Sequence, residues 1–272
     1  TLAASFRHSE KLQRHIRFLY LQGGTYKRIN NNLLYHGCIL MTPEGEFETV
    51  SFGADSYAGK AYLDHIDAVI RRGYFAPPHS QERYDARDLM WYLWCGPHSP
   101  LFGKNRMATF ERYFLSEKTT HKEHMNAYYK LQDSRDVCEK ILREFDLDPA
   151  QAHIINGHVP VKLKAGESPV KGGGLLYVID GGISKAYQTT TGIGGYSLIF
   201  NSRYLALAEH SPFHVDEEKR PVDLSPVVKI IENMPQRVTV ADTDEGKELA
   251  RQIEELQDLI QAYRTGVLEE KI

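Results

Sequence analysis

Apolar positions recur along this chain with two periods, one helical and one strand-like. Residues 9–21 carry Leu12, Ile16, Leu19 and Tyr20 with basic residues between them, a helix that the pair Gly23-Gly24 closes. Helical spacing returns over 60–72, ending at Gly73, and over 80–95, where a polar start gives way to Leu89-Met90-Trp91-Tyr92-Leu93-Trp94 before the break at Gly96-Pro97. The aromatic stretch 110–114 and the longer 120–144 also read as helices, and 244–266 as a charged amphipathic one.

Strand-like runs lie between these helices. Residues 32–41 and 46–52 flank the turn Thr42-Pro43-Glu44-Gly45, which predicts a hairpin over 32–52 with His36 inside its first strand. A short buried strand at 153–155 ends at Asn156-Gly157-His158, and a third, at 175–179, runs into Asp180-Gly181-Gly182. Residues 189–200 and 203–209 form a second hairpin about Asn201-Ser202. Strands alternating with helices, with hairpins added, predict an α/β fold with sheets of mixed direction. No repeat, low-complexity tract or linker interrupts the chain, so residues 1–272 read as a single unit that includes the helix at about 244–266.

Composition narrows the class without naming a function. With 272 residues, 42% hydrophobic and 25% charged, the chain matches a globular protein, which sets aside disorder, collagen and coiled coil. A net charge of -3 gives no overall attraction to nucleic acid or to an anionic membrane. No apolar run approaches the ~18 residues of a membrane span, and the expected location is cytoplasmic. Cys38, Cys95 and Cys138 are too few and too scattered for a disulfide framework or a zinc knuckle, so reduced, mostly buried thiols are expected.

Candidate chemistry gathers where strands end. His36 precedes Gly37 and His158 follows Gly157, each after an apolar run, and Asp180 follows the third strand. Ligands of open α/β sheets bind at the carboxyl ends of strands, imidazole suits borderline divalent metals, and a carboxylate suits harder ions such as manganese. Against this stands the commoner reading of a histidine in an apolar strand as a hydrogen-bonded core residue. Among the twelve histidines, the pairs His121/His124 and His210/His214 lack the Glu of a His-Glu-x-x-His site and read as solvated or capping. The run Gly192-Ile193-Gly194-Gly195 lacks a following lysine or helix and reads as part of a hairpin. For an anion, Lys104 after Phe102-Gly103, Lys171 before Gly172-Gly173-Gly174, and Arg112 between aromatics are the cationic candidates, although each taken singly reads more readily as a surface side chain.

Longer motifs add a resemblance. Leu34-Tyr35-His36-Gly37-Cys38-Ile39, Leu93-Trp94-Cys95-Gly96-Pro97, Ser99-Pro100-Leu101-Phe102-Gly103-Lys104, Thr109-Phe110-Glu111-Arg112-Tyr113-Phe114 and Asn156-Gly157-His158-Val159-Pro160-Val161-Lys162 occur in this order, followed by Gly166-Glu167-Ser168-Pro169, Ile179-Asp180-Gly181-Gly182-Ile183-Ser184-Lys185-Ala186-Tyr187 and Val240-Ala241-Asp242-Thr243-Asp244. Along essentially its whole length the chain resembles the class III fructose-1,6-bisphosphatases of the calcineurin-like metallophosphoesterase superfamily. The resemblance implies mixed sheets packed together and flanked by helices, and metal-assisted hydrolysis of the 1-phosphate of fructose 1,6-bisphosphate, the gluconeogenic step, with manganese as cofactor. It assigns His36 and His158 as metal ligands, and Lys104, Arg112, Lys171 and Asp180 are carried as substrate-binding candidates.

The sequence also departs from that pattern. Gly-Asp-x-His-Gly, Gly-Asp-x-x-Asp-Arg-Gly and Gly-Asn-His-Asp/Glu, which in the superfamily supply the aspartates, the bridging ligand, an asparagine and the histidine acid, do not occur. The expectation is a carboxyl-terminal part of such an enzyme, inactive alone, with no catalytic residue of its own, whose partner is the missing amino-terminal half and which can self-associate through the surface thus left exposed. The rival readings are a non-catalytic regulatory or interaction module and a phosphatase of the same superfamily acting on another phosphoester.

Overall fold

The computed structural model describes residues 2–180, 182, 184–218 and 225–269. Contacts divide the chain, read from sequence as one unit, into two: Thr1–Gly192 and Ile193–Ile272.

The first unit opens with helices α1 (Leu2–His8) and α2 (Glu10–Gln22), then forms β1 (Tyr26–Ile29) and β2 (Asn32–Tyr35). These two strands are a hairpin whose turn, Asn30-Asn31, has φ of 48° and 64°; asparagine tolerates that left-handed pair, the geometry that matches the twist of the flanking strands. This hairpin, and not one over 32–52, contains β2. The β2 strand ends at Tyr35, so His36 stands just beyond it in a bend, and the segment after it contributes only the isolated bridge Met41–Phe47 and a small sheet of β3 (Val50–Phe52) and β4 (Asp55–Tyr57).

Helices α3 (Gly59–Phe75), α4 (Gln81–Cys95), α5 (Thr109–Phe114), α6 (Tyr128–Leu131) and α7 (Arg135–Glu144) follow. The long helix expected over 120–144 is therefore broken: Lys118–His121 is a single 3₁₀ turn, and residues 122–127 include the bridge from Met125 to Lys104. Then come β5 (His153–Asn156), β6 (Val170–Lys171), β7 (Leu176–Val178) and α8 (Lys185–Thr191).

The central sheet has the order β1-β2-β5-β7-β6. Its middle strands are parallel, with Leu33 opposite Ile154 and Ile154 opposite Leu176, whereas β1 and β6 run antiparallel at the edges. Leu33, Ile154 and Leu176 are completely buried, as expected where a parallel sheet is covered. Helices α3 and α7 supply the adjoining core through Tyr62, Leu63, Ile66, Cys138, Ile141 and Leu142.

The second unit carries β8 (Gly195–Phe200), β9 (Tyr204–His210) and β10 (Val227–Asn233) as an antiparallel sheet in the order β10-β9-β8, and the helix α9 (Asp244–Arg264). The β8–β9 hairpin forms, but its first strand starts at Gly195 and not at Thr189, because residues 189–191 belong to α8, and its loop is longer than Asn201-Ser202: Asn201 N–H donates to the Tyr204 carbonyl at 3.2 Å, and its side chain accepts from the Arg203 and Tyr204 N–H groups. Strand β10 carries no alternation of burial along 227–230, which explains why periodicity does not reveal it. The two larger sheets fall in different units, so the sheet-on-sheet packing that the resemblance implies is not a property of either unit taken by itself. No described helix is long and apolar enough to cross a membrane.

Within the first unit, a fully buried polar chain links three elements. The Tyr128 hydroxyl accepts from the Asn156 amide at 2.6 Å and lies 2.7 Å from the Tyr35 hydroxyl, while the same amide donates to the Gly37 carbonyl at 3.3 Å. Burial pushes both phenols well above their ordinary range, so the chain is neutral. Tyr128→Phe would leave the Asn156 amide and the Tyr35 hydroxyl short of a buried partner. The expected cost is about 1–3 kcal/mol, read by chemical denaturation.

Candidate metal and phosphate site

Three candidate residues stand at one edge of the central sheet because β2, β5 and β7 are parallel. His36 is one residue past β2, His158 two past β5 and Asp180 two past β7. The Gly157 N–H donates to the His36 carbonyl at 3.0 Å, which continues the β2–β5 ladder past the strand ends and locks the two histidine-bearing turns together. Their rings meet: His36 Nε2 lies 3.1 Å from His158 Nδ1, with centroids 5.0 Å apart.

Local sequence explains the placement. At Gly37 a Cβ would stand 2.4 Å from the Pro100 carbonyl oxygen and 2.6 Å from that of Leu101, so glycine is what admits the 99–104 loop. That loop is fixed in turn by Cys38 N–H donating to the Pro100 carbonyl at 2.9 Å and by the buried Ser99 hydroxyl donating to the Leu93 carbonyl at 2.5 Å. His158 has φ of 65°, an uncommon left-handed backbone for a residue with a side chain, of the kind that collects at functional sites. A cleft of about 390 Å³ opens beside His36, lined also by Tyr26, Leu101, Asn156 and Gly157.

Electrostatics favour a neutral His158. Burial lowers its pKa first, the neighbouring His36 and Lys104 lower it further, and Asp180 opposes them. The Asp180 carboxylate accepts from the Gly182 N–H at 2.7 Å, and its backbone carbonyl accepts from the Val161 N–H at 2.8 Å, which ties the turns after β5 and β7 together.

The cationic candidates separate. Lys104 is close enough for His158 to feel its charge, and it forms a 2.8 Å ion pair with Glu123. Arg112 meets the other oxygen of the same carboxylate at 3.4 Å, and the Ala108 N–H donates to that oxygen at 2.9 Å. Burial pushes the Glu123 carboxyl up, but Lys104, the Ala108 N–H and Arg112 outweigh it and hold the group below its ordinary value. Glu123 is the residue that sequence reasoning passed over, since no motif spacing connects it to Lys104, and the pairing of residues 103–105 with 124–126 brings it there. Lys171 does not join this edge. It pairs in β6 with Leu176, the first residue of β7, at the end of the sheet away from the histidines, and its ammonium bonds Asp133 at 3.1 Å.

The two imidazoles fit part of a metal's donor set. Nitrogens about 2.1 Å from one ion stand about 3.0 Å apart at a right angle and about 3.4 Å apart at a tetrahedral one, and the observed 3.1 Å falls between. They do not make a whole set: among the described residues no three His, Cys, Asp or Glu side chains are grouped to hold an ion.

Residues 1–265 match the family described as firmicute fructose-1,6-bisphosphatase. The chain belongs to that family. It is 50% identical over 271 residues to a protein of Clostridium acetobutylicum named fructose-1,6-bisphosphatase class 3, and 50% and 47% identical to proteins of the same name from Clostridium novyi and Alkaliphilus metalliredigens. Each alignment covers 99% of this chain and 41% of the relative, so the chain spans about two fifths of the length of the curated relatives it matches. No solved structure matches it.

The depressed His158 pKa has a definite sign. As pH falls below the ordinary imidazole value of 6.5, the unfolded chain takes up a proton at this position before the folded one does, so the group's contribution to stability is lost as pH drops through that window. In an NMR titration of the ring carbons His158 should have its midpoint below 6.5, and His36→Ala should move that midpoint upward. A midpoint at or above 6.5 in the unaltered chain contradicts the assigned environment.

Proposed function

We propose that the carboxyl edge of the central sheet is the histidine-bearing part of a fructose-1,6-bisphosphatase metal centre, with His36 and His158 as ligands and the 1-phosphate of fructose 1,6-bisphosphate as the group hydrolysed. The single observation that carries this reading is the approach of the two ring nitrogens to 3.1 Å at the ends of adjacent parallel strands. Support comes from membership of the family and from three relatives that bear the name fructose-1,6-bisphosphatase.

Divalent ions at such a centre polarise phosphoryl oxygens and lower the pKa of bound water, and manganese is the ion proposed here. The work of this chain's own residues follows from their placement. His36 and His158 present lone pairs from a rigid edge, and the low pKa of His158 keeps its ring neutral and able to bind at neutral pH. The cleft beside His36 offers space of the order a small substrate needs. Lys104 is the side chain placed to meet the phosphoryl oxygens: a phosphate arriving next to His158 competes with Glu123 for its ammonium, and Arg112 remains on the carboxylate to offset the charge that Lys104 gives up. Asp180 ties the turn after β7 to the one after β5 through its bonds to Gly182 and Val161, and its negative charge opposes the lowering of the His158 pKa. Lys171 has no part in this reading.

The remaining ligands and the catalytic acid correspond to motifs that this sequence does not contain. We therefore expect no phosphate release by the 272-residue chain with manganese. Turnover should appear on co-expression with a polypeptide carrying the Gly-Asp-x-His-Gly, Gly-Asp-x-x-Asp-Arg-Gly and Gly-Asn-His-Asp/Glu motifs. His36→Ala or His158→Ala should then lower kcat/KM by more than the roughly 100-fold that loss of a ligand's hydrogen-bonding partner costs. Lys104→Met should act chiefly through substrate affinity, raising KM. Unchanged turnover in both histidine variants would refute the assignment.

A further inference from the structure

Helix α9 (Asp244–Arg264) carries an apolar seam that none of the described residues of its own unit buries. Its start is capped by the Thr243 hydroxyl, which accepts from the Gly246 N–H at 3.1 Å. Its end closes on Gly266, whose φ of 75° lets the Gly266 N–H reach the Tyr263 carbonyl and the Val267 N–H the Ala262 carbonyl. Between these caps, Leu249, Ile253, Leu256, Ile260 and Tyr263 follow one another at intervals of four, three, four and three residues. Each of them, with the adjoining Leu259, is between 43% and 58% exposed.

Intervals alternating between four and three are the heptad repeat, in which the seam stays straight only when two helices wind round each other. The β-branched Ile253 and Ile260 take one core position and Leu249, Leu256 and Tyr263 the other. Isoleucine at the first position with leucine at the second favours two parallel strands over three or four. The flanks permit identical partners. In a parallel pair, Gln252 of one helix faces Gln257 of the other and Leu259 faces Arg264, so no like charges oppose each other. Charge is instead held on the outer face, where Arg251 bonds Glu248 and Glu255 of its own helix and needs no partner chain. Composition averaged over 272 residues sets aside a coiled-coil protein, but it does not register a seam confined to 21 of them.

We propose that α9 pairs with α9 of a second copy of this chain as a parallel, in-register two-stranded coiled coil. The helix is about 31 Å long, which limits the pair to about three heptads and makes it concentration-dependent. The proposal is independent of the catalytic reading.

Light scattering and sedimentation on the full 272-residue chain test it, over a dilution series from about 100 µM downward. The unaltered chain should show twice its 31.1 kDa mass at the top of the series. Ile253→Lys with Leu256→Lys should return it to the mass of one chain with an unchanged circular dichroism spectrum, whereas Asp258→Asn on the outer face should leave the dimer intact. Orientation is read separately: Leu249→Cys in a Cys95→Ser background should cross-link under mild oxidation, because a parallel in-register pair sets the two copies of residue 249 face to face, whereas an antiparallel pair joins only positions near the middle of the helix to their own copies. A single-chain mass throughout the series overturns the proposal, and so does a dimer that survives the double lysine substitution. That includes the case in which the seam binds elsewhere on its own chain, or binds a different polypeptide when one is added. A dimer that forms without the Leu249→Cys cross-link refutes the parallel register.

Discussion

The bond from the Gly157 N–H to the His36 carbonyl is the constraint on which the rest of the site depends. It exists because β2 and β5 are parallel neighbours with Leu33 opposite Ile154, so that the chain leaves both strands at the same edge of the sheet. A slip of one residue in that register would turn every side chain of β5 to the opposite face, replacing Asn156 by Ile155 in the buried polar chain. Sheet pairing, the Tyr35–Tyr128–Asn156 chain and the placement of the two imidazoles are thus one structural decision. The close approach of the Pro100 and Leu101 carbonyls to Gly37 belongs to it as well, since it seats the loop that delivers Lys104.

Charge at this edge is arranged with little net excess. Lys104 and Arg112 share Glu123, and Asp180 faces the depressed imidazole of His158. A cation that is already paired costs less to hold in a partly buried place than a bare one, and it is released to an incoming anion at the expense of one salt bridge. The imidazoles are the exception. Their nitrogens share a single proton between them or turn two lone pairs toward a common point, and the second arrangement is the one an ion would select.

Much of the fold was legible. Helices at 9–21, 60–72, 80–95 and 244–266, and strands at 153–155 and 175–179, are found within a few residues of their expected limits, because caps and long apolar periods are local. The departures have one local cause and one non-local cause. The turn chemistry of Thr42-Pro43-Glu44-Gly45 outweighed the shorter signal Asn30-Asn31, and the helix expected at 120–144 ignored the pairing of Lys104 with Met125, which is non-local. Of the candidate site, His36, His158 and Asp180 were legible because each follows a strand end; which strands would be neighbours was not. The position of Lys171 at the opposite end of the sheet was not legible for the same reason: a lysine before three glycines looks the same at either end.

Paramagnetic broadening of the histidine ring signals by manganese tests the central claim most directly, because it reports position whether or not the ion is held tightly. Substoichiometric manganese added to the 272-residue chain should broaden the rings of His36 and His158 first and together, leaving His121, His210 and His214 sharp. Broadening that begins at other histidines, or that reaches His36 without His158, would contradict a shared site at the ends of β2 and β5.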